Sequence, residues 1–158
     1  MNQIWAPWRI EYIQKAKEKG CILCQKPKEN NDEANFILQR GQTNFITLNA
    51  FPYNPGHVMV APYRHIASLQ DLTDDEAKEH FTMVKKSIEL LREIMKPSGF
   101  NIGLNLGKVA GAGIEEHLHT HIVPRWEGDV NFMPVLCDTR VIAEALADTY
   151  RRLKAGLI

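Results

Sequence analysis

The segment EEHLHTHIVPRW, residues 115–126, places His117, His119 and His121 at every second position. In a β-strand this spacing puts the three imidazoles on one face and the intervening side chains on the other. A lone histidine is most often an incidental, hydrogen-bonded residue. Three on one strand face would repel one another if they were charged, and they gain little packing from the arrangement. The spacing therefore predicts a functional site.

Two kinds of chemistry fit three imidazoles on a strand. A His-x-His pair can supply two ligands to one metal ion. Alternatively, one neutral imidazole attacks as a nucleophile while its neighbours set its tautomer and stabilise the developing charge. The preceding loop, KVAGAG at 108–113, is rich in glycine and alanine, so its backbone N–H groups can approach an anion closely. With Asn105 and Lys108 upstream and Arg125 downstream, nucleophilic phosphoryl or nucleotidyl transfer is favoured.

The elements that must position these histidines follow from hydrophobic periodicity. Strands are predicted at 34–41, 43–49, 56–62, 100–107 and 117–123, with Pro62 and Pro124 ending the third and the fifth. Three- and four-residue steps between 71 and 96 predict one long helix, with a capping box from Thr73 to Glu76, and 139–156 resembles a second helix. We therefore expect an α+β fold with a mainly antiparallel sheet of about five strands, one long helix and a C-terminal helix.

Length and composition bound the remaining possibilities. The 158 residues suit one domain, 1–158, with an aromatic N-terminal segment at 1–19 and a helical tail at 138–158. Nineteen basic and nineteen acidic residues cancel, so neither a nucleic acid nor an anionic membrane is indicated as a partner. Apolar runs of membrane-spanning length and a signal-peptide pattern after Met1 are both missing. The expected location is cytoplasmic.

Three motifs together resemble a known family. HLHTHIV resembles the alternating His-apolar pattern of the histidine triad (HIT) superfamily of nucleotide hydrolases and transferases, with Thr120 as the one soft match. PGHVMVAPYRHI at 55–66 and NLG at 105–107 are similar to further blocks of that family. The combination with WAPWRIEYI and EEHLHTHIVPRWEGDVNFMPV is similar to a bacterial branch that includes diadenosine tetraphosphate phosphorylases. The resemblance covers about residues 20 to 135.

The resemblance implies a catalytic role for four residues. His119, the middle histidine, matches the family's nucleophile, which attacks the α-phosphorus of a nucleotide and forms a nucleotidyl-histidine that water or phosphate then releases. His121 and His57 match histidines near the phosphate and the nucleophile, and Asn105 matches a side chain on the phosphate or leaving group. A backbone carbonyl on the same strand is expected to accept the other N–H of the nucleophile. The best substrate is a dinucleoside polyphosphate such as diadenosine tetraphosphate, and no organic cofactor is expected.

Nucleotide binding is implied at four further positions. Asn49 matches a residue on the ribose hydroxyls. HIT relatives are commonly homodimers, and Trp126 is expected to complete the base pocket of a neighbouring subunit. The family often carries Gln or Ser three or four residues before the first triad histidine, where this chain has Gly113 and Ile114. Backbone N–H groups around Gly111 and Gly113 are the expected substitutes. The choice between phosphorolysis and hydrolysis stays open.

The cysteines raise a separate question. Cys21 and Cys24 are spaced as Cys-x-x-Cys, and two thiolates alone do not complete a tetrahedral zinc site. In zinc-bearing relatives the other two ligands are a histidine after the first block and the first triad histidine, positions held here by His65 and His117. The resemblance thus implies a structural zinc. The alternative is a pair of reduced core cysteines, and Cys137 is expected to be inert.

Three other functions remain as alternatives. The first is hydrolysis of nucleoside phosphoramidates or adenylates by the same residues. The second is nucleotide binding with vestigial catalysis, and the third is a hydrolase with its metal at the triad itself. His80 is predicted on the polar side of the long helix, exposed to solvent.

Overall fold

The computed structural model describes residues 20–129, 142 and 144–157. The aromatic segment 1–19 and Cys137, for which expectations were stated above, lie outside the described residues. None of the described helices is long and apolar enough to cross a membrane.

The described residues form one sheet with helices, which confirms the α+β prediction. The strands are β1 (Ile37–Arg40), β2 (Asn44–Leu48), β3 (Val58–Pro62), β4 (Gly99–Leu104) and β5 (Thr120–Arg125). Their order across the sheet is β1-β2-β3-β5-β4, and every neighbouring pair is antiparallel. The helices are α1 (Ile22–Gln25), α2 (Asp32–Asn35), α3 (Asp74–Met95) and α4 (Leu146–Ala155).

The long helix α3 begins where the sequence predicts. The Thr73 hydroxyl accepts from the backbone N–H of Glu76, and the Glu76 carboxylate accepts from the N–H of Thr73, so the capping box is formed. The helix ends at Met95, one residue before Lys96, which adopts a left-handed conformation. Helix α4 spans Leu146–Ala155, which is shorter than the predicted 139–156, since Ala145 before it has an extended backbone.

The two faces of the sheet are covered differently. Alternation along β2, β3 and β5 turns one set of side chains towards α3 and α4, where they form the larger core. Members of this core include Ile46, Leu48, Val58, Val60, Leu91, Ile122 and Leu153. On the opposite face a smaller cluster joins Leu23 of α1 to Phe45 and Met59. The catalytic candidates lie on this second face. They are therefore separated by the sheet from the core formed with α3 and α4.

Strand β5 differs from its predicted bounds. The prediction was 117–123 with Pro124 as the terminator, whereas the ladder begins at Thr120 and continues through Pro124 to Arg125. Pro124 is tolerated because β3 pairs with β5 only as far as Ile122, so beyond that point β5 has β4 alone as a neighbour. His117 and His119 therefore precede the ladder rather than belonging to it.

The prediction that His80 is exposed to solvent was wrong. Its side chain is 2% exposed and lies between α3 and the sheet. One ring nitrogen, Nδ1, is 2.8 Å from the Asn44 amide oxygen, and Nε2 is 2.6 Å from the Thr120 hydroxyl. Burial lowers the pKa of His80 to about 4. The prediction placed this residue on the polar side of the helix, whereas two buried polar partners on the sheet, Asn44 and Thr120, hold it on the inner side.

We expect His80 to make the stability of the fold depend on pH. The unfolded chain protonates this ring below a pKa of about 6.5, whereas the folded chain keeps it neutral until about pH 4. Between those values the unfolded state binds more protons, so the free energy of unfolding falls as the pH falls, by up to about 3 kcal/mol at most. Above about pH 6.5 the contribution is constant.

Urea denaturation at pH 7, 6 and 5 measures this dependence. The matched variant is His80→Gln, which retains polar atoms but does not titrate. The wild type should lose more stability between pH 7 and pH 5 than the variant does. Parallel pH profiles for the two proteins would contradict the assignment.

Candidate active site and metal cluster

Three histidines meet on the face of the sheet that carries the smaller core, at the ends of β3 and β5. Main-chain pairing of Met59 with His121 brings the two strands into register. His57, one residue before β3, then lies with its Nε2 atom 3.0 Å from Nδ1 of His121. The ring of His119 stands edge-on to that of His121, with centroids 4.7 Å apart. The structure thus brings together the three catalytic histidines that the sequence predicts.

Backbone groups fix the tautomer of His119. Its Nδ1 atom is 2.7 Å from the carbonyl oxygen of His117. A carbonyl only accepts, so Nδ1 carries the proton, and in the neutral ring Nε2 keeps its lone pair. His117 is thus the source of the carbonyl that the sequence could not locate. The arrangement leaves Nε2 of His119 with the free lone pair that a nucleophile needs.

A second chain of hydrogen bonds sets the other two rings. The N–H of Tyr53 donates to Nδ1 of His57 over 3.1 Å, so that nitrogen is the acceptor and Nε2 carries the proton. His57 then donates to Nδ1 of His121. In the neutral His121 ring the proton must therefore lie on Nε2, which is the hydrogen-bond donor of that ring. One backbone N–H thus orients two imidazoles in succession.

The environment keeps this pair uncharged near neutral pH. Burial, together with the charges that His121 and His119 would carry, lowers the pKa of His57 to about 3. Burial, with a smaller contribution from His119, lowers the pKa of His121 to about 4. Both rings can donate through N–H without carrying net charge, which avoids the mutual repulsion that three close imidazolium ions would suffer.

Asn49 and Tyr53 lie beside this histidine pair. The Asn49 Nδ2 group is 3.3 Å from Nδ1 of His57, and its Oδ1 atom accepts from the N–H of Phe51. Asn49 thus contacts His57, in addition to the ribose contact that is expected of it. The Tyr53 ring lies 4.8 Å from that of His57 and is 47% exposed. Sequence reasoning missed Tyr53, whose only signal was an aromatic residue in the FPYNPG loop.

The remaining nucleotide-binding candidates surround the histidines less closely. Leu104 pairs with Thr120, so the antiparallel register places Asn105 opposite His119. Gly111 has φ +89°, a left-handed conformation that a larger residue adopts only with strain. A Cβ atom built on Gly113 meets nothing within 4 Å, so the loop around it is open. In the described part of the chain Asn105, Gly111, Gly113 and Trp126 make no hydrogen bond to the catalytic histidines.

Two arginines near the site are already engaged. Arg125 donates through Nε and Nη2 to the Asp129 carboxylate and through Nη1 to Asn101. Arg64 forms a bidentate pair with Glu76. Both guanidinium groups are thus already paired with carboxylates of the same chain.

Four side chains that can bind a metal ion lie close together beside the catalytic candidates. Cys21, Cys24, His65 and His117 each offer one ligand atom, and these atoms all lie within 4.8 Å of one another. Three sulfur–nitrogen separations and the separation of the two histidine Nδ1 atoms are each 3.3 Å. Around a tetrahedral zinc with bonds of about 2.0–2.3 Å, ligand atoms are about 3.3–3.8 Å apart. The donor set therefore has the spacing that zinc requires.

The tautomer of His117 also suits a metal ligand. Its Nε2 atom lies 2.8 Å from the carbonyl oxygen of Pro62, so it carries the proton and leaves the Nδ1 lone pair directed at the cysteines. Leu23 of α1, between the two cysteines and fully buried, anchors this short helix in the smaller core. Among the described residues this is the one such cluster, which disfavours a metal held by the catalytic histidines themselves.

Comparisons with known proteins agree with this geometry. The HIT domain model matches residues 29–128. The chain is 40% identical over 161 aligned residues to an AP-4-A phosphorylase of Mycobacterium tuberculosis, covering 97% of this chain and 83% of that protein. It is 36% identical over 93 residues to an asymmetrical bis(5'-nucleosyl)-tetraphosphatase of Schizosaccharomyces pombe, covering 59% of this chain and 50% of that one.

A solved structure shares the fold. It is a Zn-bound histidine triad family protein from Mycobacterium smegmatis, which superposes with a TM-score of 0.70 at 24% identity. The superposition covers 87% of this chain and 93% of that one. At this identity the likeness extends to the fold alone.

Proposed function

Because this chain belongs to the HIT domain family, we propose that it is an enzyme that cleaves dinucleoside polyphosphates through a nucleotidyl-histidine on His119. The observation that carries the proposal is the hydrogen bond from Nδ1 of His119 to the carbonyl of His117, which leaves Nε2 free to attack. The best substrate is diadenosine tetraphosphate, because the M. tuberculosis relative named as an AP-4-A phosphorylase aligns along nearly the whole chain.

The reaction divides into two in-line displacements. In the first, Nε2 of His119 forms a bond to the α-phosphorus while the bond to the bridging oxygen breaks and ATP leaves. The N–H of His121 donates to the phosphate oxygens as their charge shifts, and Asn105 with the loop of Gly111 and Gly113 meets the leaving chain. In the second step phosphate or water displaces the histidine and yields ADP or AMP. Such transfers depend mainly on positioning and charge stabilisation.

Asn49 and Trp126 complete the proposed nucleotide site. Asn49 holds His57 through one amide proton, and its remaining proton and lone pair are available to the ribose hydroxyls. Trp126 is half-buried at the end of β5, where its ring is proposed to meet the base.

We also propose a structural zinc ion bound by Cys21, Cys24, His65 and His117. The support is the donor chemistry and the 3.3 Å spacing of the ligand atoms. When bound, zinc would tie α1 to the segment before β5 and take no part in the transfer step.

Chromatography of the products tests the proposed reaction. The protein is incubated with diadenosine tetraphosphate with and without inorganic phosphate. If water accepts the nucleotidyl group, we expect ATP and AMP both with and without phosphate. ADP plus ATP that appear only with phosphate would identify a phosphorylase. The absence of turnover on this substrate, under conditions where the fold is intact, would overturn the substrate assignment.

A homodimer is proposed from the two edges of the sheet. At the β1 edge, Tyr150 and Lys154 of α4 donate to the carbonyls of Ile37 and Leu38. The β4 edge has no such cover among the described residues, and Ile102 there is 47% exposed. An unpaired edge is a template for another strand, and a two-fold axis would pair β4 with β4 of a second copy.

Light scattering coupled to size exclusion measures the oligomeric state. The wild type should elute as a dimer, and Ile102→Lys should shift it towards the monomer by placing a charge on the edge. Phe81→Lys is the control, because Phe81 is also exposed, at 62%, but belongs to α3 and not to β4. A monomeric wild type, or equal effects of the two substitutions, would contradict the β4 interface.

A further inference from the structure

We propose that the hydrogen bond between Thr120 and His80 positions the His119 nucleophile from the opposite face of the sheet. The inference rests on the proposed function, because it assigns His119 as the attacking residue. Thr120 and His80 are positioning residues, since neither side chain reaches the substrate face, which is the face of the sheet that carries His119 and His121.

The backbone of His119 lies between one isolated main-chain hydrogen bond and the start of the β5 ladder. The β5 ladder begins one residue later, at Thr120, which pairs with Val60 on one side and Leu104 on the other. Before the ladder the nearest main-chain anchor is the bond from the N–H of Leu118 to the carbonyl of Ile66, at 2.6 Å. The nucleophile thus lies at the entrance to the ladder, where the first paired residue determines its direction.

The side chain of that first paired residue is tied down. Successive residues of a strand point to opposite faces, so Thr120 points towards α3 while His119 and His121 point towards the substrate face. The Thr120 hydroxyl is 2.6 Å from Nε2 of His80, and both side chains are at most 5% exposed. Rotation of the Thr120 backbone would therefore break a buried hydrogen bond and turn both imidazoles together.

The direction of each hydrogen bond follows from the next partner. The Asn44 Nδ2 group donates to the carbonyl of Glu76 at 3.1 Å and to the Thr43 hydroxyl at 2.9 Å, so its oxygen faces His80. That oxygen only accepts, which puts the His80 proton on Nδ1 and leaves Nε2 as an acceptor. The Thr120 hydroxyl must then donate to His80. The network is complete and has one arrangement.

If this buried hydrogen-bond network only stabilised the fold, its disruption would lower stability and leave the transfer rate unchanged. The present one joins the helix to the one residue that lies between two catalytic histidines. Displacement of a reacting group by about 1 Å can cost about 10²-fold in rate. Loss of the Thr120 hydroxyl should therefore reduce the transfer rate in addition to any loss of stability.

The test compares isosteric and conservative variants. Thr120→Val removes the hydroxyl with little change of shape, and Thr120→Ser retains it. Thr47→Val is the stability control, because Thr47 is fully buried in β2 and its hydroxyl donates to the carbonyl of Phe36 on the same face as the smaller core. Turnover of diadenosine tetraphosphate is measured at a temperature well below every Tm.

We expect Thr120→Val to lower kcat about 10- to 100-fold with KM nearly unchanged, and Thr120→Ser to restore most of it. Thr47→Val should lose stability without losing kcat. Equal kcat for Thr120→Val and Thr47→Val would overturn the proposal and leave the network a purely structural role.

A substrate-free measurement separates this inference from the proposed function. Long-range ¹⁵N–¹H spectra of the imidazoles report which nitrogen of His119 carries the proton. In Thr120→Val the His119 signals should shift or broaden, whereas in Thr47→Val they should match the wild type. Unchanged His119 signals in both variants would overturn the positioning role, whatever the wild type does with diadenosine tetraphosphate.

Discussion

Replacement of His119 by alanine should reduce kcat for diadenosine tetraphosphate by about 10⁴-fold or more, since the nucleophile of a covalent mechanism is removed. Neither His121 nor His57 can take its place, because Nδ1 of His121 already accepts from His57, and His57 in turn accepts from Tyr53. Binding should persist, since the proposed phosphate and ribose contacts come from other residues. Steady-state kinetics and titration with a non-hydrolysable analogue measure the two quantities.

A companion variant makes this result specific to the imidazole. His119→Gly leaves a space in which free imidazole can act as the nucleophile, so added imidazole should restore part of the turnover. The His119→Ala protein offers less space and should respond less. Turnover in His119→Ala near the wild-type level would show that another group attacks. Unaltered nucleotide binding by a wild type that never turns over would favour vestigial catalysis.

The local signals in the sequence predicted the element types well. The capping box at Thr73, the strand ending at Pro62 and the period of two through His117, His119 and His121 are each determined by neighbouring residues. Strand bounds were less accurate, because they depend on the neighbour across the sheet. Pro124 lies inside β5 since only β4 pairs with it there, and no single-strand pattern contains that information.

The site showed the same division between local and distant information. The period of two predicted that His119 and His121 share a face, and the resemblance added His57 to them and His65 and His117 to the cysteine pair. The protons could not be placed, because each ring is oriented by a main-chain group such as the N–H of Tyr53 or the carbonyl of Pro62. His80 was misplaced for a related reason. Its partners, Asn44 and Thr120, are 36 and 40 residues away in the sequence.

Removal of zinc should destabilise the protein before it affects the chemistry. The proposed ligands join α1 to the segment that leads into β5, and the free energy of metal binding contributes directly to folding. A loss of about 5 kcal/mol would lower the Tm by about 10–20 °C for a chain of this size. We expect one zinc per chain in the purified protein by elemental analysis, and a fall in Tm of this order after chelation.

Substitutions distinguish this structural zinc from a catalytic one. Cys24→Ser should lose zinc and show the lowered Tm, whereas Cys137→Ser, which removes a cysteine outside the four donors, should keep both. Well below its Tm, Cys24→Ser should retain measurable turnover, because Nδ1 of His119 still has the carbonyl of His117 beside it. Complete loss of activity at such a temperature, with the circular dichroism of the folded protein unchanged, would instead place the metal in the reaction. A wild type that contains no zinc and is indifferent to chelation would leave Cys21 and Cys24 as reduced core residues, and the hydrogen bond from His117 to Pro62 would then orient that ring alone.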